Sequence, residues 1–255
     1  MHTDTSYPFW LPLVVSTVFV LWLSAALLPL LLLLPTLACI AFLMHVQVYN
    51  TRTLAKSFWI STYLRSDSPV RKWLSGTILL RWIAAILSIP LAIITYIAIY
   101  GYDWVDCISI SIGVFLARLA HLQISSPIDK NLAEDLAELA HVRVYDWFAV
   151  LLVLCCLALS SVAKGLTMDY AESTSDQLAT LTIDTVKHPV RFVQHCVRTL
   201  RYSELQLLRV RDINGWPYGW MIYLFFLIPN ALPAFGIVTL YSGFDRFLQK
   251  GMLRG

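Results

Sequence analysis

The chain of 255 residues is unusually apolar: 58% of its residues are hydrophobic, 14% are charged, and the formal net charge is +3. The mean hydropathy of +0.67 exceeds what the core of a water-soluble fold requires, and the apolar residues come in blocks too long for globular helices. This composition excludes a soluble enzyme, a nucleic-acid-binding domain, a disordered chain and a disulfide-stapled secreted module, and it predicts an all-α integral membrane protein.

The first apolar block, residues 8–49, is nearly free of charge. A membrane span needs about 20 apolar residues, because a helix rising 1.5 Å per residue must cross about 30 Å of hydrocarbon. We therefore predict two spans, near 9–28 and 31–49, that turn around Pro29. The alternative is one crossing by a long kinked helix, or a re-entrant hairpin. No Lys or Arg precedes the block, so it lacks the basic region of a signal peptide and is expected to be retained.

A basic stretch follows at residues 50–72, with five Lys or Arg and one Asp. Cytoplasmic loops carry an excess of Lys and Arg, so this stretch predicts a cytoplasmic loop. Its middle is expected to form a short interfacial helix with Phe58, Trp59 and Tyr63 at the water boundary.

Two more spans are predicted from the next apolar blocks. The third covers about 74–100, with a kink at Pro90. The link 100–106 has two Asp and no Lys or Arg, which fits the opposite face of the membrane. The fourth span, about 105–124, returns to the basic side.

A helix start is predicted at Ser126, which can act as N-cap with Pro127 at the first helical position and Asp129 at the third. The resulting amphipathic helix, 126–143, is expected to lead into a fifth span at about 146–163.

The C-terminal part divides into a polar segment and a last span. Residues 164–215 are predicted to be an extramembrane amphipathic helical segment, and 216–255 to form a sixth span (216–241) with a basic tail. The fold class is thus a bundle of about six transmembrane helices, or five if the first block crosses once, plus amphipathic interfacial helices. Residues 1–163 hold spans one to five.

The distribution of basic residues indicates an orientation. Six spans place both termini on the side of the basic loop, with ten Lys and Arg outside the spans there against seven on the other side. No N-x-Ser/Thr sequon occurs. We expect a bacterial cytoplasmic (inner) membrane with both termini inside.

The sixth span contains Pro229, Asn230 and Pro233 in close succession. Two prolines four residues apart remove two backbone donors and free carbonyl groups at membrane depth. This pattern indicates either a discontinuous helix at a substrate or ion path, as in transporters, or a kinked helix whose Asn230 bonds to a neighbouring span.

Arg81 and Arg118 are the two charges expected inside spans, and His121 lies on the same face as Arg118. On the predicted topology both arginines lie in the cytoplasmic leaflet, where they can form an anion or lipid-phosphate site. The alternative is that they snorkel to the interface or pair with Glu134 or Asp135. No Asp or Glu is expected in the hydrophobic part of a span, which argues against a proton-relay pump.

The polar segment contains a predicted amphipathic helix that begins near Lys187 and ends near Asp212. Its basic face can rest on anionic lipid headgroups, dock on an acidic partner, or pack back on the spans. The candidate residues of that face are Arg191, His195, Arg198 and Arg209. If this compartment is oxidising, a disulfide between Cys107 and Cys196 becomes possible.

No catalytic or cofactor motif and no metal-ligand spacing occurs in the sequence. We therefore expect no enzyme, no cofactor, no metal and no nucleic-acid partner. The first function hypothesis is a non-catalytic integral membrane subunit of a larger multiprotein membrane assembly, with the lipid bilayer and other membrane subunits or further copies of itself as partners. The second is a channel or transporter with a path near the last helix and Arg81/Arg118.

Overall fold

The computed structural model of the chain describes residues 16, 33–64, 68–70, 76–132, 134–165, 174–185, 190–214 and 230–247. These residues form seven helices and no strand. The helices are α1 (Leu33–Tyr63), α2 (Ile78–Gly101), α3 (Trp104–Asn131), α4 (Glu134–Gly165), α5 (Ser175–Thr185), α6 (Arg191–Asn214) and α7, whose described residues are 230–247.

Four helices are long and apolar enough to cross a membrane: α1, α2, α3 and the part Leu136–Ser160 of α4. Their outward faces hold large exposed apolar side chains such as Trp82, Ile112 and Leu151, as a lipid-facing surface requires. The predicted all-α class is therefore confirmed for the described residues, and the four apolar helices support the predicted membrane integration. The predicted first span (apart from Ser16) and residues 216–229 of the predicted sixth lie outside the described residues, so the count of six stays a prediction.

Helix α1 joins two segments that the sequence analysis separated. It continues from the predicted second span through residues 50–63, so this part of the predicted basic loop is helical. The hydroxyls of Thr51 and Thr53 donate to the carbonyls of Gln47 and Tyr49, one turn back, at 3.0 and 2.8 Å, so these polar residues continue the helix. At 1.5 Å per residue α1 measures about 46 Å, which exceeds the hydrocarbon thickness of about 30 Å.

The break between α3 and α4 lies later than the predicted helix start at Ser126. Helix α3 continues through Pro127 to Asn131, and the chain becomes extended at Leu132. The amide of Asn131 donates to the carbonyl of Pro127 at 2.8 Å and satisfies one acceptor of the last turn. The N-cap pattern therefore lies within a helix.

Three glycines bring helix backbones close together. A Cβ atom added to Gly113 of α3 would lie 2.9 Å from the Cα atom of Val153 in α4. One added to Gly236 of α7 would meet Thr95 of α2, and one added to Gly243 would meet the carbonyl oxygen of Leu43 in α1. Close approach at small residues is a general means of packing membrane helices. These contacts hold α7 against α1 and α2, and α3 against α4.

Helices α5 and α6 pack at one end of this bundle. Val193 and Val197 of α6 are buried against the main core, and a Cβ atom at Gly101, the last residue of α2, would lie 3.3 Å from Val197. Helix α5 packs on α6 through the buried Leu178. We call the end where α2 leads into α3 the α2–α3 end, and the opposite one the α3–α4 end.

Candidate functional site

A cavity whose lining includes polar and charged side chains lies at each end of the bundle. The cavity at the α2–α3 end has a volume of about 280 Å³ and that at the α3–α4 end about 380 Å³. Polar residues lining the first include Tyr102, Asp106, Arg201, Ser203, Glu204 and Asn230. Those lining the second include Gln47, Asn50, Arg118, His121, Glu138, His141, Tyr145, Asp146, Ser242, Asp245 and Arg246.

Asp106 is the centre of the polar network at the α2–α3 end. It follows the N-cap residue Asp103 by three positions, and the two side chains accept each other's backbone N–H groups in a capping box at the start of α3. The hydroxyl of Ser160 in α4 donates to Asp106 Oδ1 at 2.8 Å. Arg201 of α6 lies 3.5 Å from Oδ2. Asp106 is only 4% exposed. Through Ser160 and Arg201 this buried carboxylate of α3 also contacts α4 and α6.

Arg201 is the cation that the carboxylates of this network share. Its guanidinium also donates to Glu204 at 3.0 Å. Burial lowers the pKa of Arg201, but the carboxylates of Glu204 and Asp106 raise it by more, so the net pKa is raised and Arg201 remains a cation. Burial, and then the charge of Asp106, raise the pKa of Tyr102. Its buried hydroxyl, which has no hydrogen-bond partner among the described residues, therefore stays neutral.

Asp146 of α4 is the central carboxylate at the α3–α4 end. The amide Nε2 of Gln47 in α1 lies 3.1 and 3.3 Å from its two oxygens. The hydroxyl of Ser242 in α7 donates to Oδ1 at 3.1 Å. Gln47 is only 2% exposed, and its Oε1 atom has no hydrogen-bond partner among the described residues.

A group of rings and a guanidinium lies beside Asp146. Arg118 is 3.9 Å from Asp245 of α7, and its guanidinium carbon is 5.8 Å from the ring centroid of Tyr145. The His121 ring is 5.3 Å from that of His141 and 5.4 Å from that of Tyr145. Within the described part of the chain, His121 Nε2, His141 Nδ1 and the Tyr145 hydroxyl are buried without hydrogen-bond partners. Unsatisfied polar atoms at a cavity are positions where a polar ligand or water gains hydrogen bonds.

Between the two cavities the helices meet through apolar side chains. Ile110, Val114, Val153, Ile237 and Val238 are almost completely buried there. Twelve residues of α3 separate Asp106 from Arg118, which corresponds to about 18 Å along the helix. We call these five side chains the apolar septum.

The two arginines expected inside spans have different surroundings. Arg118 and His121 line the same cavity. Arg81 is exposed in the first turn of α2, with its guanidinium carbon 5.8 Å from the ring centroid of Tyr49. Arg118 lies near Asp245, whereas the side chains of its predicted partners Glu134 and Asp135 lie outside the described residues.

The proline motif contributes to the other end of the bundle. Asn230 and Pro233 line the α2–α3 cavity, whereas Pro229 lies outside the described residues. From Asn230 onward α7 is a continuous helix through Pro233.

The predicted basic face of α6 is divided. Arg191 and His195 are exposed. Arg198 donates to the carbonyl of Ile183 and Arg209 to the hydroxyl of Ser175, each at 3.2 Å, so both contact α5. Arg201 is the residue of α6 that pairs with the buried carboxylate of Asp106. It was not part of the predicted basic face. All five cysteines, Cys107 and Cys196 among them, are free.

Sequence reasoning missed the two central carboxylates. Asp106 and Asp146 lie within the candidate spans Trp104–Asn131 and Leu136–Ser160. They stand at the starts of the predicted fourth and fifth spans, so the expectation that no acidic residue lies in the hydrophobic part of a span stays a prediction. The Asp-x-x-Asp pattern at 103–106 was an available signal, because it is typical of a helix N-terminus. No comparable signal marks Asp146, because its partners Gln47 and Ser242 are remote in sequence.

Comparisons with protein families, with curated proteins and with solved structures find no match for this chain. Among the described residues no group of three His, Cys, Asp or Glu side chains is arranged to hold a metal ion. The function is therefore inferred from the geometry of the two cavities.

Proposed function

We propose that this chain is a channel or transporter, with a path for an ion or small polar solute through the centre of the bundle. The observation that carries this proposal is that α3 and α7 each contribute polar residues to both cavities, while Ser160 of α4 bonds to Asp106 at one end and Asp146 of α4 lines the other cavity. Helix α3 provides Asp106 and Arg118, and α7 provides Asn230 and Asp245. Charges inside membrane spans are costly and mark ion and substrate pathways.

The placement of Arg118 supports a path more than it supports snorkelling. Its side chain is only 16% exposed, and it lies near Asp245 and over the Tyr145 ring inside the bundle. A snorkelling arginine places its guanidinium at the lipid headgroups. The anion or lipid-phosphate site proposed from sequence would thus hold Arg118 and His121 without Arg81.

The apolar septum closes the path in the described conformation. Passage requires its side chains to separate while α7 moves against α3 and α4, as in transporters whose bundles rock about a central site. The two cavities are then the vestibules on either side of the gate.

The first hypothesis from sequence, a non-catalytic subunit of a larger assembly, stays a prediction. The bacterial inner membrane and the orientation with both termini inside also stay predictions. With that orientation, the cavity of Asp146 faces the cytoplasm and that of Asp106 the opposite compartment.

Two-sided thiol labelling tests the path without knowledge of the solute. The five native cysteines are replaced by Ser or Ala, and one cysteine is introduced by Asn230→Cys or Ser242→Cys. We expect a charged, membrane-impermeant thiol reagent to label Asn230→Cys from one side of sealed vesicles and Ser242→Cys from the other, since each position lines a different cavity.

The matched control is Ile112→Cys, because Ile112 lies half exposed on the outward face of α3 and would contact lipid. It should react from neither side. Labelling of both cavity positions from one side, or of neither, would contradict a path through the bundle.

A further inference from the structure

Asp146 is a buried carboxylate inside a candidate span with neutral hydrogen-bond donors as its direct partners. These are the amide of Gln47 and the hydroxyl of Ser242. Among the described residues, no nitrogen of Lys, Arg or His lies within 4.0 Å of its oxygens. An unpaired charge in a low-dielectric site is strongly unfavourable, so this position gains free energy when a positive charge joins it.

Oxygen atoms from three helices converge at this position. They are the two carboxylate oxygens of Asp146, the hydroxyl oxygen of Ser242 and, after rotation of its amide, Oε1 of Gln47. Oε1 has no partner in the described structure although the side chain is almost completely buried. Carboxylate, hydroxyl and amide oxygens are hard ligands that suit hard cations.

We propose that Asp146, Gln47 and Ser242 form a binding site for a small monovalent cation, an alkali-metal ion or a proton, that enters from the α3–α4 cavity. The cation neutralises the carboxylate, and the Gln47 amide turns its oxygen towards an alkali-metal ion. The site deepens the proposed transport function, because it would supply the coupling ion, but cation binding itself requires no transport.

The other charged and titratable groups of the cavity limit which cation fits. They are Arg118 and His121 from α3, Glu138 and His141 from α4, and Asp245 and Arg246 from α7. The positive charges of Arg246 and of Arg143, which lies one turn before Asp146 on α4, also act on the Asp146 carboxylate, although neither guanidinium lies within 4.0 Å of its oxygens. A monovalent cation neutralises the single charge of the Asp146 carboxylate, whereas a divalent cation would leave a positive charge beside these two arginines.

Thermal unfolding of the purified full chain in detergent tests the site. The Tm is measured with NaCl, KCl or N-methylglucamine chloride at equal ionic strength. An alkali-metal ion at about ten times its Kd is expected to raise the Tm of the natural protein by about 3–6 °C. The variant Asp146→Asn should show no such rise, because an amide cannot neutralise the cation. Asp184→Asn, which removes an exposed carboxylate of α5, should respond like the natural protein.

Proton binding is tested with the same variants in the absence of added alkali-metal salt. If a proton occupies the site, the natural protein loses stability relative to Asp146→Asn as the pH is raised, because the proton leaves and the buried charge remains. If Asp146→Asn does not fold, Ser242→Ala replaces it. This variant keeps the carboxylate but lacks one ligand oxygen. The ion concentration that gives half of the maximal Tm rise should therefore be several-fold higher than for the natural protein.

Equal responses of the natural protein and Asp146→Asn to Na⁺, K⁺ and pH would overturn the cation site. That result would leave the two-sided labelling of Asn230→Cys and Ser242→Cys intact. Failure of the labelling with a normal Tm response would instead overturn the path and retain the site.

Discussion

A carboxylate within a membrane span needs partners for each oxygen, and Asp106 has them. Oδ1 accepts from Ser160, and Oδ2 accepts from the backbone N–H of Asp103 and lies near Arg201. Its position in the first turn of α3 adds the favourable field of the helix N-terminus. Of these contacts, the ion pair with Arg201 is the one that supplies a positive charge.

Replacement of Arg201 tests this balance. Arg201→Gln leaves Asp106 and Glu204 without their shared cation, and we expect the free energy of unfolding to fall by about 2–3 kcal/mol, less than for a fully buried pair because Arg201 is partly exposed. Arg198→Gln is the matched control: its hydrogen bond to Ile183 is exposed, and the loss should be below about 1 kcal/mol. Chemical denaturation in detergent measures both. Equal losses of unfolding free energy in the two variants would show that the ion pair of Arg201 with Asp106 stabilises the fold no more than an exposed hydrogen bond does.

At the scale of single residues, only contacts between residues close in sequence could be predicted. The capping box could be predicted because its two residues are three apart. The proximity of Arg118 to Asp245 could not, since the partner belongs to a helix far along the chain. Contacts of that kind depend on how helices are rotated and shifted against each other, which hydropathy does not encode.

Helices of this chain extend past the apolar blocks that revealed them. The predicted third span, 74–100, agrees closely with Ile78–Gly101, because the apolar run and the helix end together at Tyr102. Residues 50–72 were predicted to be a cytoplasmic loop with a short interfacial helix in its middle, because basic residues mark where the membrane ends. That boundary differs from the one where the helix ends. Charge patterns therefore locate the interface better than the helix terminus.

The α3–α4 contact at Gly113 provides a test at the scale of elements. Gly113→Ala places a methyl group 2.9 Å from the Cα atom of Val153, and backbone cannot move aside as a flexible side chain can. We expect a loss of about 1–3 kcal/mol, despite the higher helix propensity of Ala. The control Ile112→Ala alters the neighbouring, outward-facing position. A Gly113→Ala variant as stable as the natural protein would mean that the two helices are not in close contact there.

The membrane class of the whole molecule was predictable because hydropathy sums over local segments. The two cavities could not be predicted, because each forms where polar residues of different helices come to the same level of the bundle. Arg118 and His121 were singled out one turn apart on α3, yet their neighbours Tyr145 and Asp245 come from other helices. Only the packed bundle brings these groups together.

The predicted topology has a direct test at this scale. In a background without native cysteines, Ser68→Cys should react with an impermeant thiol reagent only from the cytoplasmic side, and Thr174→Cys only from the other side. The reason is that residue 68 follows α1, whereas residue 174 precedes α5 near the α2–α3 end. Reaction of both from one side would contradict the placement of α5 and α6 opposite the basic stretch.

The Asp106 network also sets an order in time. The capping box forms with the first turn of α3, and Ser160 is synthesised 54 residues after Asp106. Arg201 follows Asp106 by 95 residues. At 5–20 residues per second, roughly 5–20 s pass before the ribosome supplies this counter-charge. During that interval the Asp106 carboxylate lacks Arg201, so the docking of α6 completes the folding of this end of the bundle.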